Sequence, residues 1–525
     1  MKPMSNIIMA TVCATCLLTG CGTKEPMPEQ KDWSTTTYFA STDEASSETY
    51  YKPAVGFVAD PMPFYDPVAK DFKIMYLQDY RPNQVGTYHP FWAVATKDAA
   101  NYESLGELIP CGGLEEQDAA LGTGSTFYDE ANGTYYTFYT GNKHNPSASD
   151  NTQVVMYATS KDFRTWTKNK TFILKGDDYG YSKNDFRDPF VFKDDSGKYH
   201  LIVSTTKGGK GTIADFVSDN LTDWTHNGDF MNMMWDRFYE CPDVFKMGDW
   251  WYLVYSEIHS AIRKVQYFKG HTLDELKACT AGDAGIWPDS HEGFLDSRGL
   301  YAAKTAGNGI ERYIWGWCAT RKGNETAGGL EWGGTLVAHK IIQHEDGTLT
   351  LGAIDALAAK YNKQQSVSVK EQFGLTEADG TYTLLGDGAY MLLPRLGYHN
   401  MISFTVTADG NEDRFGISLS RGSDSKKYYT MVVNPEGADR RKINLEEEGE
   451  EGSGFMADND GYVFDRPADN VYNITIFTDN SICVMYINDV CCYTNRIHSI
   501  QRNCWSINSY GGSISVTGLK VAEYQ

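Results

Sequence analysis

An all-β fold, a five-bladed β-propeller followed by a C-terminal β-sandwich, is what this sequence predicts, on three observations. From Phe57 onward, short alternating or apolar runs are separated by Gly, Asn and Asp turn signals, and long amphipathic helical stretches are scarce. That is the pattern of an all-β chain. One strand-like run recurs five times at similar spacing, most copies preceded by a shorter run, as repeated propeller blades would. After Leu351 strand-like runs continue without that period, which marks a second domain of sandwich type.

The repeat is carried by Lys73–Leu77, Tyr135–Tyr139, Tyr199–Val203, Trp251–Tyr255 and Tyr313–Trp317, whose starts lie 62, 64, 52 and 62 residues apart. A shorter strand precedes most of them: Phe64–Pro67, Phe127–Glu130, Phe190–Asp194 and Val244–Lys246. A four-stranded blade with its loops fits this spacing, so the propeller is assigned to residues 51–346. Residues 347–368 read as a linker, with Gly352–Lys360 as a short helical connector. Residues 369–525 form the sandwich, with strands at Met401–Val406, Tyr428–Val433, Tyr472–Phe477, Ile482–Ile487 and Ser513–Leu519. The acidic run Glu446–Glu451 lacks the ligand spacing of a cation loop and reads as a solvated loop.

The first 20 residues read as a signal peptide: Lys2 supplies positive charge, and Ile7–Leu18 is apolar but short for a membrane span. Leu18-Thr19-Gly20-Cys21 resembles a bacterial lipobox, with Cys21 as the lipidated residue. Residues 21–50, rich in Lys, Glu, Pro, Ser and Thr, then form a flexible tether. The expected location is the cell envelope, by lipid anchor, at the outer membrane. The membrane is touched only through that lipid.

Composition narrows the partner. The formal net charge is −22, from 69 acidic and 47 basic residues, which argues against nucleic acid and anionic polymers and suits a neutral ligand. Aromatics make up 13% of residues, with 34 Tyr and 12 Trp. That favours β-structure and flat surfaces on which sugars stack. The eight cysteines beyond the signal segment and Cys21 show no CxxC spacing, and there are no paired histidines, so no metal is expected, and no organic cofactor.

Chemistry is concentrated in three acidic motifs that end in proline: Ala59-Asp60-Pro61, Arg187-Asp188-Pro189 and Glu240-Cys241-Pro242. Each falls just before the first strand of a unit. The innermost strands of a propeller run the same way along the channel, so residues at one phase of different blades meet at one mouth. Converging carboxylates are the equipment of glycosidic bond cleavage, with a nucleophile and an acid/base about 5–5.5 Å apart in retaining enzymes.

At these residues the chain resembles glycoside hydrolase family 32, the invertase, levanase and inulinase group, over nearly all of its mature length. The resemblance implies Asp60 as nucleophile, Asp188 in Phe186-Arg187-Asp188-Pro189 as the stabilising acid, and Glu240 in Glu240-Cys241-Pro242-Asp243 as acid/base. It implies substrate contacts from Gln78 in Tyr76-Leu77-Gln78, Trp92 in His89–Ala95, Ser125 in Gly122-Thr123-Gly124-Ser125, and Arg187. Tyr301–Thr305 and Ile314–Trp317 resemble paired motifs of the fifth blade. The usual Asn-Asp-Pro-Asn-Gly is here Ala59-Asp60-Pro61-Met62-Pro63, so both flanking asparagines are gone. Residues Met231–Tyr239, including Trp235, form an insert before Glu240. The implied activity is retaining hydrolysis of β-fructofuranosidic bonds in fructans or fructo-oligosaccharides, with fructosyl transfer sharing the same residues. An inverting propeller hydrolase of arabinosides or xylosides and a non-catalytic glycan-binding lipoprotein are the alternatives.

Overall fold

The computed structural model describes residues 49–54, 56–80, 89–232, 238–257, 263–279, 293–421, 426–449, 452 and 461–524. Cys21, the signal segment, most of the tether and Trp235 lie outside the described residues. Blade 1 is the meander β1 (Phe57–Asp66), β2 (Asp71–Asp79), β3 (Phe91–Thr96) and β4 (Glu103–Ile109). Blade 2 is β5 (Ala120–Asp129), β6 (Thr134–Asn142), β7 (Gln153–Ser160) and β8 (Trp166–Leu174). Blade 3 is β9 (Phe186–Lys193), β10 (Tyr199–Lys207), β11 (Lys210–Ser218) and β12 (Thr225–Asn232). Blade 4 has β13 (Tyr239–Met247), β14 (Trp250–Glu257) and β15 (Val265–Gly270), extended by a bridge from Gln266 to Phe294. Blade 5 is β16 (Leu300–Gly307), β17 (Arg312–Arg321) and β18 (Leu330–Gln343). The recurring runs read from sequence are the second strands β2, β6, β10, β14 and β17. They are largely buried because both faces pack against neighbouring blades.

Tyr51 completes blade 5: its carbonyl accepts from Leu336 N at 2.9 Å. The backbone N–H groups of Thr49 and Tyr50 both donate to Asp479 Oδ2 at 2.9 Å. Thr49 and Tyr50, inside the stretch assigned to the tether, are therefore held against the sandwich. The segment assigned to the linker is structured as well. Leu349–Gly352 pairs with β18, Asp355–Ala358 is a short helix, and Tyr361–Gln365 pairs with the last strand.

In the sandwich the strand Trp505–Tyr524 runs through both layers and pairs in turn with strands 381–393, 399–408 and 415–419. Gly511 and Gly512, at φ +130° and +70°, provide the bend that lets it change layers. The first part of the acidic run, Glu446–Glu448, departs from the solvated-loop expectation, whereas Glu450 and Glu451 lie outside the described residues. Arg440–Glu448 is a strand paired with Tyr428–Pro435. Its carboxylates are hydrogen-bonded there: Tyr429 donates to Glu447 and Tyr510 to Glu448, at 2.9 and 2.6 Å, and Lys427 pairs with Glu447 at 2.6 Å.

The two domains share a core. Phe477, Ile482, Val484 and Tyr486 of the sandwich pack in one cluster with Leu300, Trp315, Leu336 and Val337 of blade 5. Arg496, 2% exposed, donates from Nε to Ala319 O at 2.8 Å and from Nη2 to Cys318 O at 3.0 Å. A second polar lock is Asp296 before blade 5, which accepts from Thr494 N at 2.8 Å and Thr494 Oγ1 at 2.6 Å.

Candidate active site

The first strand of every blade carries a β-bulge at the same height. Its register slips against the second strand between Ala59 and Met62, Gly122 and Gly124, Arg187 and Phe190, Glu240 and Asp243, and Tyr301 and Lys304. A bulge re-aims side chains and is where a strand tolerates proline, because no ladder N–H is required. Pro61, Pro189 and Pro242 sit there. The residue ahead of each has positive φ: Asp60 41°, Asp188 58° and Cys241 53°, with Ala302 at 50° in blade 5. Non-glycine residues pay about 1–3 kcal/mol for such a backbone, and its recurrence in four blades marks the channel mouth as the strained, organised end.

This corrects the sequence reading in two ways. The acids lie within the first strands, not before them. Glu240 is also one step out of phase, level with Arg187 and Tyr301, whereas Asp60 and Asp188 share the bulge position with Thr123, Cys241 and Ala302. Two layers result. In the bulge layer Thr123 Oγ1 donates to Asp60 Oδ2 at 2.8 Å, and Cys241 N donates to Asp188 Oδ2 at 2.9 Å. In the layer nearer the mouth, Arg187 Nη2 donates to Glu240 Oε1 at 2.9 Å and the Tyr301 hydroxyl to Oε2 at 2.7 Å.

Three environments follow. Asp60 has a second donor, Trp317 Nε1, on Oδ1 at 3.0 Å. Burial, then the Asp188 charge, raises its pKa to about 7, against the pull of these two donors. Asp188 is also raised, by burial first and by the Glu240 charge, while Arg187, Lys304 and the Cys241 N–H oppose the shift. Burial works against the Arg187 cation, but the carboxylates of Asp188 and Glu240 outweigh it and hold Arg187 charged. Its guanidinium lies 3.9 Å over the Phe238 ring, and Nη1 bonds Asp185 at 2.9 Å. Arg263 stacks 3.9 Å over Tyr301 and 5.0 Å from Trp317. Burial and the Arg298 charge bring its pKa down to about 10. Cys241 is a buried thiol, pushed up by burial and by Asp188, and packs with Tyr301, Ala302 and Trp317 as one wall.

Of the remaining residues selected from sequence, Gln78 is fully buried on β2 opposite Val58, with its amide against Gly56, where a Cβ would stand 2.5 Å from Nε2. Trp92 stands on β3, with its ring edge-on to Tyr80 at 6.4 Å and against the core shared by blades 1 and 5. Ser125 Oγ accepts from Val191 N at 3.0 Å, which ties blade 2 to blade 3. The hydroxyl that reaches Asp60 is Thr123, two residues earlier. Thr123, Trp317 and Tyr301 lie inside stretches quoted from the sequence, yet none was assigned a contact. Only the bulges seen in the structure set Thr123 level with Asp60 and Tyr301 level with Glu240, and Trp317 is the β17 partner of Tyr301. The missing asparagines have a packing counterpart: Ala59 and Met62 are buried in the apolar core between blades 1 and 2.

Residues 50–351 match the model described as Glycosyl hydrolases family 32 N-terminal domain, and residues 347–521 match GH32, BT1760-like, C-terminal domain. Sucrose-6-phosphate hydrolase of Bacillus subtilis (strain 168) is 28% identical over 221 residues, 40% of this chain and 43% of that protein. The Staphylococcus xylosus protein of the same name is 23% identical over 345 residues, 62% of this chain and 65% of its own length. The chain thus spans less than two thirds of either relative. Among solved structures, sucrose-6-phosphate hydrolase from Lactobacillus gasseri superposes with TM-score 0.68 at 18% identity, covering 92% of this chain and 95% of that one. Exo-inulinase from Aspergillus awamori gives 0.68 at 16% identity, covering 93% and 99%. These likenesses show the fold. With the family models matched from the first blade into the last strand of the sandwich, the chain belongs to glycoside hydrolase family 32.

Proposed function

We propose that this protein is a retaining glycoside hydrolase that cleaves β-fructofuranosidic bonds in fructans, fructo-oligosaccharides or sucrose. The observation that carries the reading is the division of labour among three carboxylates at one channel mouth. Asp60 holds two hydrogen-bond donors that favour its anion. Ionised, it attacks the anomeric carbon and forms a covalent fructosyl-enzyme, as the leaving oxygen departs. Glu240 donates the proton to that oxygen and then takes one from water. Its 2.7 Å contact with the Tyr301 hydroxyl serves both states, because the hydroxyl donates to the carboxylate or accepts from the carboxylic acid. Asp188, fixed by the Cys241 N–H, accepts from sugar hydroxyls and stabilises the oxocarbenium-like transition state.

The names of the relatives support fructosides as substrates: sucrose-6-phosphate hydrolase for two of them, exo-inulinase for a structural neighbour. Turnover of sucrose, inulin and levan by wild type, Asp60→Ala and Glu240→Ala tests the reading. Cleavage by wild type and loss in both variants is expected; equal activity in all three would overturn it. The protein is proposed to sit on the cell envelope through lipid on Cys21. Incorporation of labelled fatty acid by wild type but not Cys21→Ala is the expected result, and equal labelling of both would exclude it.

A further inference from the structure

The channel has a third layer directly beneath the acids. The residues that resume regular pairing after each bulge are Met62, Gly124, Phe190, Asp243 and Lys304, one from each blade. Lys304 is 1% exposed, and its ammonium donates to Gly124 O at 2.7 Å while lying 5.6 Å from the Phe190 ring centroid. Gly124 N in turn donates to Met62 Sδ at 3.0 Å. A side chain at Gly124 would meet Phe138 O at 1.9 Å, so the position is restricted to glycine. Lys304 therefore spans the channel from blade 5 to blade 2, next to Thr123, the partner of Asp60, and to Pro189, the neighbour of Asp188.

A buried cation is costly unless charge or hydrogen bonds compensate it. One carbonyl is thin compensation. The charged and titratable groups around Lys304 are Asp188 on β9 and Asp243 and Cys241 on β13, all three of which it favours in their ionised forms. Arg312 on β17 also favours the Asp243 anion. Asp243 is further held by Thr305 N. Asp188 has the Cys241 N–H and the Arg187 charge in its favour, with burial and the charges of Glu240 and Asp60 against it. Asp60 on β1 completes the acid cluster above.

We propose that Lys304 is a positioning residue for the acid cluster: from the layer below, its ammonium compensates the charge of Asp188 and fixes blades 5 and 2 across the channel floor. The consequence for chemistry rests on the fructosidase reading above, whereas the electrostatic claim does not. Lys304 meets no substrate and acts through Asp188.

The test compares thermal unfolding of wild type and Lys304→Met at about pH 5 and about pH 8, alone and in an Asp188→Asn background. Asp188 gains its charge as pH rises, so the expected loss of stability is larger at the higher pH and shrinks when Asp188 is neutralised. A loss equal at both pH values, or unchanged by Asp188→Asn, would assign Lys304 a packing role only and overturn the proposal. If Lys304→Met does not accumulate folded protein, Lys304→Gln, whose amide still donates, carries the same comparison. In turnover of the best fructoside, the acid limb of kcat/KM set by Asp60 is expected to steepen in the neutral Lys304 variants, because loss of the ammonium raises Asp188 further and adds a second required anion, and Lys304→Arg to restore it. A uniform fall in kcat with an unchanged limb counts against the proposal. Absence of fructoside turnover in wild type would sink the fructosidase reading and leave the unfolding comparison to decide Lys304.

Discussion

The indole N–H of Trp317 donates to Asp60 Oδ1 at 3.0 Å across 257 positions of sequence. It joins the second strand of the last blade to the first strand of the first, at the seam where the ring closes. One hydrogen bond thus couples propeller closure to the proposed nucleophile. Trp317→Phe removes the donor and keeps most of the ring volume. A hydrogen bond to a charged group contributes about 1.5–3 kcal/mol, so kcat/KM is expected to fall roughly 10- to 100-fold. Steady-state kinetics beside a thermal melt separates this from unfolding.

Activity is expected to fall with acid earlier than for an ordinary carboxylate. Burial and the Asp188 charge push the Asp60 carboxyl up to about 7, and attack requires its anion. Below that pH, kcat/KM should drop about tenfold per unit. A pH profile of kcat/KM at low substrate checks this, because that ratio reports the unliganded enzyme.

The same shift has a stability sign. The folded pKa lies above the ordinary 3.8, so the folded state binds the proton more tightly, and stability falls as pH rises between these values. Asp60→Asn removes that liability. Its amide oxygen still accepts from Trp317, and its NH2 donates to Thr123. The variant should be inactive yet more stable than wild type at about pH 8, by about 2–4 kcal/mol, with the gain vanishing towards pH ~4. Chemical denaturation at the two pH values measures it.

Arg187 joins Asp185, Glu240 and the Phe238 face with one planar group. Lysine cannot hold that fork geometry. Arg187→Lys is expected to lose about 10- to 100-fold in kcat, with little change in melting temperature. Kinetics with a good and a poor leaving group tests the role through Glu240, since the poor one should suffer more.

Arg496 carries the domain junction. Besides the two carbonyls it bonds Ser481 Oγ at 2.8 Å and Thr335 Oγ1 at 3.2 Å. Arg496→Ala leaves those buried acceptors unpaired, at a cost of about 3–5 kcal/mol. Because Cys318 adjoins Trp317, activity should fall along with the melting temperature. A melt followed by activity after partial heating reads both.

Much of this architecture was legible in the chain because each blade repeats one hairpin. The aromatic, β-branched second strand and the turn before it recur whatever the loops do. Asp60, Asp188 and Glu240 were legible because proline marks the bulge that presents them. The contacts between layers were not. Thr123 and Trp317 reach Asp60 only after the ring closes, and nothing in the spacing of Gly122–Ser125 distinguishes the hydroxyl facing the channel from Ser125, which faces Val191. Lys304 likewise reads as an ordinary strand lysine until its layer partners are assembled. Within the linker the helix Asp355–Ala358 falls in the connector read from sequence, whereas the strand Tyr361–Gln365 was hidden because it is held by pairing with the distant strand Trp505–Tyr524 rather than by local pattern.

The most direct test of the account is to trap the covalent intermediate. Glu240→Ala, given a fructosyl donor with a good leaving group, should accumulate one fructosyl unit on the peptide bearing Asp60, and added azide should release fructosyl azide with the substrate's β configuration. An azide product of inverted configuration, or an adduct that persists when Asp60 is also replaced by Asn, would contradict the assignment of Asp60 as nucleophile.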